Sequence, residues 1–193
     1  MKMMNNNPTL HRCEWATTHQ LLLDYHDTEW GQPVYENRAL FESLNLEGAQ
    51  AGLSWLTVLK RRDGYRSAFA AFEPELVAKF TDEQCEHILQ NASVIRNRLK
   101  VYGVMKNANA YLAMQHAGED FAQFLWNFVN NKSLTHQEAE TGRIASQAMS
   151  KALRLRGFTF IGPTICYAFM QATGMINDHT DECSFRSPRD VSI

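Results

Sequence analysis

Apolar residues recur along this chain at three- and four-residue intervals, the spacing of one face of an α-helix, and strict alternation is scarce. Leu40, Phe41 and Leu44 form one such face behind Asn37, a residue type suited to cap a helix N-terminus. Leu53, Leu56 and Leu59 repeat at three-residue spacing, and Trp55 and Val58 broaden that stripe. Pro74 stands where a first helical residue is tolerated. Thr81-Asp82-Glu83-Gln84 has the form of a capping box ahead of Ile88 and Leu89. A longer helix is predicted over 94–115, with Leu99, Tyr102, Met105 and Leu112 on its helical period. Ser146 is expected to cap a helix that stops at Gly157, and Pro163 to open one that ends near Gly174. β-Branched residues are scattered and no strong hairpin dipeptide occurs, so the pattern predicts an all-α fold. No repeat or low-complexity linker divides the chain. It reads as a single helical domain over 1–193, flexible at 1–9, with an exposed loop at 136–143.

The chain has 193 residues and 45% of them are apolar, enough for a real core, which excludes a disordered tail protein. No stretch approaches the roughly 20 apolar residues that span a bilayer. The first eight residues are polar and Asn-rich, without the apolar run of a secretory signal, so the expected compartment is the cytoplasm. Disulfides are then unexpected for the four cysteines, and metal ligation or burial is the better reading. A net charge of −2 argues against a nucleic-acid partner, but the charge is segregated. Residues 141–177 hold no acid and carry Arg143, Lys151, Arg154 and Arg156. Residues 87–118 hold none either and carry Arg96, Arg98, Lys100 and Lys106. Such a face can bind phosphate despite a near-neutral total; the alternative is two ordinary solvated helix faces.

Cysteines and histidines are placed at both ends. Cys13 and His26 lie near the N-terminus, and His179 and Cys183 near the C-terminus, the latter spaced to share one side of a helical turn or tight loop. Two Cys and two His make a full tetrahedral set for zinc, although either half alone is a weak signal. Four protein ligands leave no open position, so such an ion is structural and joins ends that otherwise fray. Asp178 and Asp181 are candidates to orient an imidazole. Cys85 and Cys166 sit in apolar helical patterns and read as core.

The run from Leu153 to Thr164 has its own grammar: a basic helix ends at Gly157, an apolar turn of Phe158, Thr159, Phe160 and Ile161 follows, and Gly162-Pro163 opens a new helix. Amides at such a turn and at the second helix N-terminus can hold a phosphate, the pattern of a helix-hairpin-helix element. An ordinary connection in a bundle is the alternative. In the run from Leu46 to Trp55, Glu47 is one carboxylate among small and apolar residues, sharing a helical face with Gln50. An Arg partner or solvent accounts for Glu47 on composition alone. Trp15, Tyr25 and Trp30 flank Cys13 and His26; they are either core or the walls of a flat pocket.

These pieces together resemble the bacterial 3-methyladenine DNA glycosylase I family. The stretches that carry the resemblance are Arg12-Cys13-Glu14-Trp15, Tyr25-His26-Asp27-Thr28-Glu29-Trp30-Gly31, Leu46-Glu47 with Gln50-Ala51-Gly52-Leu53-Ser54-Trp55, Arg156-Gly157-Phe158 with Ile165-Cys166-Tyr167, and Asn177-Asp178-His179 with Cys183. The likeness runs from Arg12 to Cys183, with a variable stretch at 132–143. It implies a helix-hairpin-helix superfamily fold with zinc on Cys13, His26, His179 and Cys183. It implies a flipped base in contact with Glu47, walled by Trp55, Tyr25 and Trp15 with Trp30 nearby, and Leu53 entering the gap left in the duplex. Lys151, Arg156 and the hairpin residues Gly157, Phe158, Thr159, Phe160 and Gly162 are the expected DNA contacts. The implied activity is that of a monofunctional hydrolase acting as a monomer on alkylated double-stranded DNA. It releases free 3-methyladenine, with 3-methylguanine as a further candidate substrate, and leaves an abasic site.

This family looks to lack the aspartate that many superfamily members use to activate water, so Asp178, beside His179, is read as a partner of that ligand rather than a base. Leu22 stands where some relatives carry tyrosine, and the tail 184–193 is given no role. A non-catalytic reader of alkylated DNA is the competing expectation. A zinc hydrolase is disfavoured because the ligand set is already complete.

Overall fold

Helix follows helix through residues 10–186, the part of the chain that the computed structural model describes. The expected flexibility of 1–9, and the tail beyond 186, lie outside the described residues. The helices are α1 (Gln20–Thr28), α2 (Asn37–Gln50), α3 (Trp55–Leu59), α4 (Arg62–Ala68), α5 (Pro74–Val77), α6 (Asp82–Gln90), α7 (Arg98–His116), α8 (Phe121–Trp126), α9 (Ala139–Leu155) and α10 (Pro163–Ala172). Two short parallel strands, β1 (Leu134–Thr135) and β2 (Ile176–Asn177), pair Leu134 with Ile176 and Thr135 with Asn177. They fasten the segment that enters Asp178 and His179 to the front of α9. None of the described helices is long and apolar enough to cross a membrane.

α2 is the axis. It packs against α10, α7, α3 and α8, so Leu40, Phe41, Leu44 and Leu46 are all buried, and Glu42, Asn45 and Glu47 are buried with them. A helix covered on most sides has no solvent face for polar residues, and those it keeps need partners. Asn45 finds one across the core: Asn107 of α7 donates to its Oδ1 at 2.9 Å. The same Asn107 donates to the Thr159 carbonyl and accepts from the Thr159 amide at 2.7 Å. One buried amide side chain thereby ties α2, α7 and the turn before α10 together.

Several local expectations shift. Glu36, not Asn37, caps α2, its carboxylate accepting from the Arg38 and Ala39 amides. Asn37 instead reaches to the start of α8, donating to Asp120 and accepting from the Ala122 amide at 2.7 Å. The helix foreseen over 94–115 begins only at Arg98, capped by Asn97, and its buried face runs through Val101, Val104, Ala108 and Tyr111 while Leu99 is 72% exposed. Ser146 lies inside α9 and donates back to the Arg143 carbonyl, so it starts nothing. The expected loop at 136–143 is a 3-10 turn leading into α9, introduced by a capping box of Thr135 and Glu138. Leu53 precedes α3, whose cap is Ser54. The capping box at Thr81 and Gln84 is present on both of its hydrogen bonds.

Candidate functional site

The two ends of the described segment meet. His11 donates to Ser184 Oγ, and the Ser184 amide donates to the His11 carbonyl at 2.9 Å. Behind this clasp, one ligand atom each from Cys13, His26, His179 and Cys183 lies within 4.8 Å of the others, and all four residues are buried. Cys183 Sγ is 3.5 Å from His26 Nε2 and 3.4 Å from His179 Nδ1, and Cys13 Sγ is 3.7 Å from the same Nδ1. Two sulfur and two nitrogen donors converging in a dry pocket form a site that can hold a metal ion. The Asp27 carboxylate lies 2.8 Å from His26 Nδ1, which fixes that nitrogen as the donor and turns Nε2 toward the sulfurs. Arg12 grips Asp27 in turn, with its Nε 2.9 Å from Oδ2 and Nη2 2.7 Å from it. The orienting acid is therefore Asp27 and neither of those expected. Asp178 accepts from Gln171 at 2.5 Å, and Asp181 pairs with Arg186. Burial, followed by the proximity of His26, holds His179 down at about 4, which favours its neutral imidazole.

Against the Cys and His cluster stands a cavity of about 430 Å³. Glu14, Trp15, Tyr25, Trp30, Glu47, Gln50, Trp55, Gln171 and Asp178 are among its lining residues. The walls are aromatic and shared with the Cys and His cluster: Trp30 lies 5.9 Å from the His26 ring, 4.6 Å from His179 and 5.0 Å from Trp15. Tyr25 and Trp55 close the other side with ring centroids 5.3 Å apart. Glu47 is 4% exposed, and its Oε2 has no hydrogen-bond partner, nor does the buried Nε1 of Trp55. Burial alone raises Glu47 from its ordinary 4.5 to about 8. A carboxyl oxygen and an indole N–H, both buried and unpaired, thus belong to two residues that line this cavity.

The turn joining α9 to α10 is mostly committed to the protein. The amides of Gly157 and Phe158 donate to the carbonyls of Arg154 and Leu153, and Phe158 stacks on Phe121 at 5.8 Å. Phe160 adopts φ 56°, unusual for a bulky residue. Two glycines make room for it: a Cβ on Gly48 would lie 3.1 Å from its carbonyl oxygen, and one on Gly103 2.9 Å from its ring. Among the described residues the amides of Phe160 and Gly162 donate no hydrogen bond, and α10 starts at Gly162 without a side-chain cap. Lys151, Arg154 and Leu155 flank that end in a shallow groove. Arg156 turns away, gripping Glu119 at 2.7 Å with its guanidinium 4.3 Å over Phe124.

The family profile described as "Methyladenine glycosylase" matches residues 15–187. This chain belongs to that family. "DNA-3-methyladenine glycosylase" of Haemophilus influenzae is 48% identical over 89% of this chain and 96% of its own length. A crystal structure of 3-methyladenine DNA glycosylase I superimposes with a TM-score of 0.86 at 46% identity, covering 91% of this chain and 99% of that one. A variant of a 3-methyladenine DNA glycosylase I, solved in complex with 3-methyladenine, superimposes with a TM-score of 0.83 at 32% identity, covering 91% and 97%.

Within this methyladenine glycosylase fold, all five residues expected at the base, Trp15, Tyr25, Trp30, Glu47 and Trp55, line the one cavity. Leu22 packs with Tyr25 and Leu59 behind the wall instead of lining it. Leu53, 42% exposed, stands outside on the turn after α2. Three residues escaped sequence reasoning. Arg12 and Asp27 sit one position from the candidate ligands Cys13 and His26 and carry opposite charges, a legible signal. Gln171, which holds Asp178 at the cavity wall, lies on an apolar helix and gave none.

Proposed function

We propose that this chain is a monofunctional DNA glycosylase that hydrolyses the N-glycosidic bond of 3-methyladenine in alkylated double-stranded DNA. The observation that carries this reading is the pair of unpartnered buried groups, Glu47 Oε2 and Trp55 Nε1, on two residues that line a cavity walled by aromatic rings. The names of the similar proteins, and the 3-methyladenine bound by one of them, support it.

The chemistry asks little acid catalysis of the protein. 3-Methyladenine bonded to deoxyribose is a cation, so the bond to C1′ breaks with its electron pair going to the base, which leaves neutral. Water then bonds to C1′, loses a proton to solvent and completes the abasic site. The chain's part is to take the base out of the stack, hold it and reject unmodified adenine. Trp15 and Tyr25 supply stacking faces, worth about 1–3 kcal/mol per base. Glu47 is uncharged at neutral pH in the empty cavity. A cationic base opposite it favours the carboxylate, which accepts from the exocyclic amine, while Trp55 offers Nε1–H to the ring edge. Neutral adenine provides no cation to draw Glu47 into its charged form and no methyl group to fill the wall. Asp178, tied to Gln171, shapes the cavity and is not assigned as a base.

Zinc is the ion that suits the two-Cys, two-His set, and bound there it supplies a structural cross-link between the chain ends. On the DNA, Leu53 fills the space the base vacates, and the free amides at Phe160 and Gly162 with Lys151 and Arg154 hold a backbone phosphate. The protein acts as a monomer. Purified protein is expected to release free 3-methyladenine, read by chromatography, from treated duplex DNA and to leave adenine untouched. A folded, metal-loaded sample that binds such DNA and releases no base would overturn the enzyme in favour of a damage reader.

A further inference from the structure

Leu53 is presented by a tight turn with little of its own to hold it. Ala51 has φ −46° and ψ 116°, Gly52 has φ +79°, and the Leu53 amide donates to the Gln50 carbonyl at 2.7 Å. These are the features of a type II β-turn, with glycine where a positive φ is required. Its outer side is bare: a Cβ on Gly52 would meet nothing within 4 Å. Support comes from one side chain on another helix. Lys100 Nζ donates to the Ala49 carbonyl at 2.8 Å and to the Ala51 carbonyl at 2.6 Å.

That placement is costly for Lys100. It lies in the first turn of α7, where the helix dipole disfavours a cation. Burial alone lowers its pKa, with no neighbouring carboxylate to offset the loss of water. The gain falls on α2, whose last carbonyls lack helical partners and whose C-terminal dipole attracts a positive charge. Those carbonyls connect Glu47 and Gln50 in the cavity to Leu53 on the surface, with Trp55 just beyond.

We propose that Lys100 is a positioning residue for base extrusion, a strut that holds the 50–53 turn so that Leu53 enters the duplex already ordered. The proposal rests on the reading of Leu53 as the inserted side chain. A turn fixed before binding spares the ordering cost on insertion. Lys100 also lies in the acid-free window of 87–118, where charge alone would cast it as a phosphate contact; its two carbonyl bonds assign it inward.

A double-mutant cycle tests this, using Lys100→Met, Lys100→Arg, Leu53→Ala and the Lys100→Met/Leu53→Ala pair, all metal-loaded. Single-turnover release of 3-methyladenine from duplex DNA is expected to fall on the order of tenfold in Lys100→Met, with partial recovery in Lys100→Arg. Binding of free 3-methyladenine should stay within about twofold of the parent, because the cavity is not rebuilt. In the Leu53→Ala background the Lys100→Met loss should shrink to under about twofold. Amide hydrogen exchange gives a second readout: the Leu53 amide exchanges faster in Lys100→Met, while amides at the middle of α2 do not. Additive losses, an unchanged Leu53 amide, or a salt dependence reduced by about one phosphate contact would overturn the strut. A Leu53→Ala protein as active as the parent would instead remove the insertion reading itself, and a parent protein that releases no base would remove the glycosylase.

Discussion

At the scale of single residues, Glu47 sets the terms. Its carboxyl is buried without a partner and lifted from 4.5 to about 8. A carboxyl whose folded pKa lies above its unfolded one weakens the fold as pH rises: between the two values the unfolded chain sheds a proton that the folded chain keeps. Glu47→Gln removes that liability. The variant should gain thermal stability relative to the parent progressively from pH 4.5 to about 8 and hold the margin above that. The margin is on the order of a few kcal/mol, and the difference between paired melting curves cancels the pH dependence of the metal site. Equal melting temperatures across that range would mean that Glu47 reaches water. The proposed base contact gives a second test: Glu47→Ala is expected to weaken free 3-methyladenine by at least about tenfold in calorimetry, since the amine loses its acceptor. Asp178→Asn, by contrast, should retain base release, because Asp178 is spent on Gln171; abolished release with metal and base binding intact would make Asp178 the base after all.

At the scale of elements, the connection between α9 and α10 separates residues that look alike in sequence. Lys151, Arg154 and Arg156 all lie in the acid-free stretch, yet Arg156 is closed into Glu119 and Phe124 while the other two stand at the open groove. Alanine at Lys151 or Arg154 should therefore lower the salt dependence of DNA binding by about one counterion each and leave stability unchanged. Alanine at Arg156 should cost about 1 kcal/mol of stability with the salt slope intact. Binding titrations at several salt concentrations, beside melting curves, distinguish the two. The sequence shows such elements where their signals are local. The Thr81 capping box and the Pro163 start need only neighbouring residues, so they are readable. Asn37 and Ser146 are sound capping residues whose side chains bond elsewhere, Asn37 to another helix and Ser146 to its own preceding turn. The three-residue repeat through Leu53 loses its first member, because Ser54 caps α3 and the Gly52 turn, whose positive φ no hydrophobic period records, sets Leu53 outside the helix. The metal-ligating and aromatic residues could be named from the chain, but the cradle that Gly48 and Gly103 make for Phe160 comes from two helices far apart in sequence.

At the scale of the whole molecule, the ends of the described segment and the cavity form one structure. Cys13 and His179 are 166 residues apart, and the ion they can share fixes more than the termini. Trp30 rests on both imidazoles, and Trp15 rests on His26 and on Trp30, so two cavity walls pack on the residues able to hold the ion. Asp27 and Arg12 extend the same frame outward. Removal of the ion should therefore do two separable things. It should lower the melting temperature by more than about 10 °C, as loss of a structural cross-link does. It should also weaken free 3-methyladenine by about tenfold at a temperature where the metal-free chain is still folded, because Trp15 and Trp30 lose their backing. Near-ultraviolet circular dichroism reports the tryptophan packing, and calorimetry on the chelated protein reports the affinity. Were the ion only a clasp for the ends, the first effect would appear without the second. Loss of both, with far-ultraviolet helicity retained, would mean that the fold uses its termini to build the cavity in its middle.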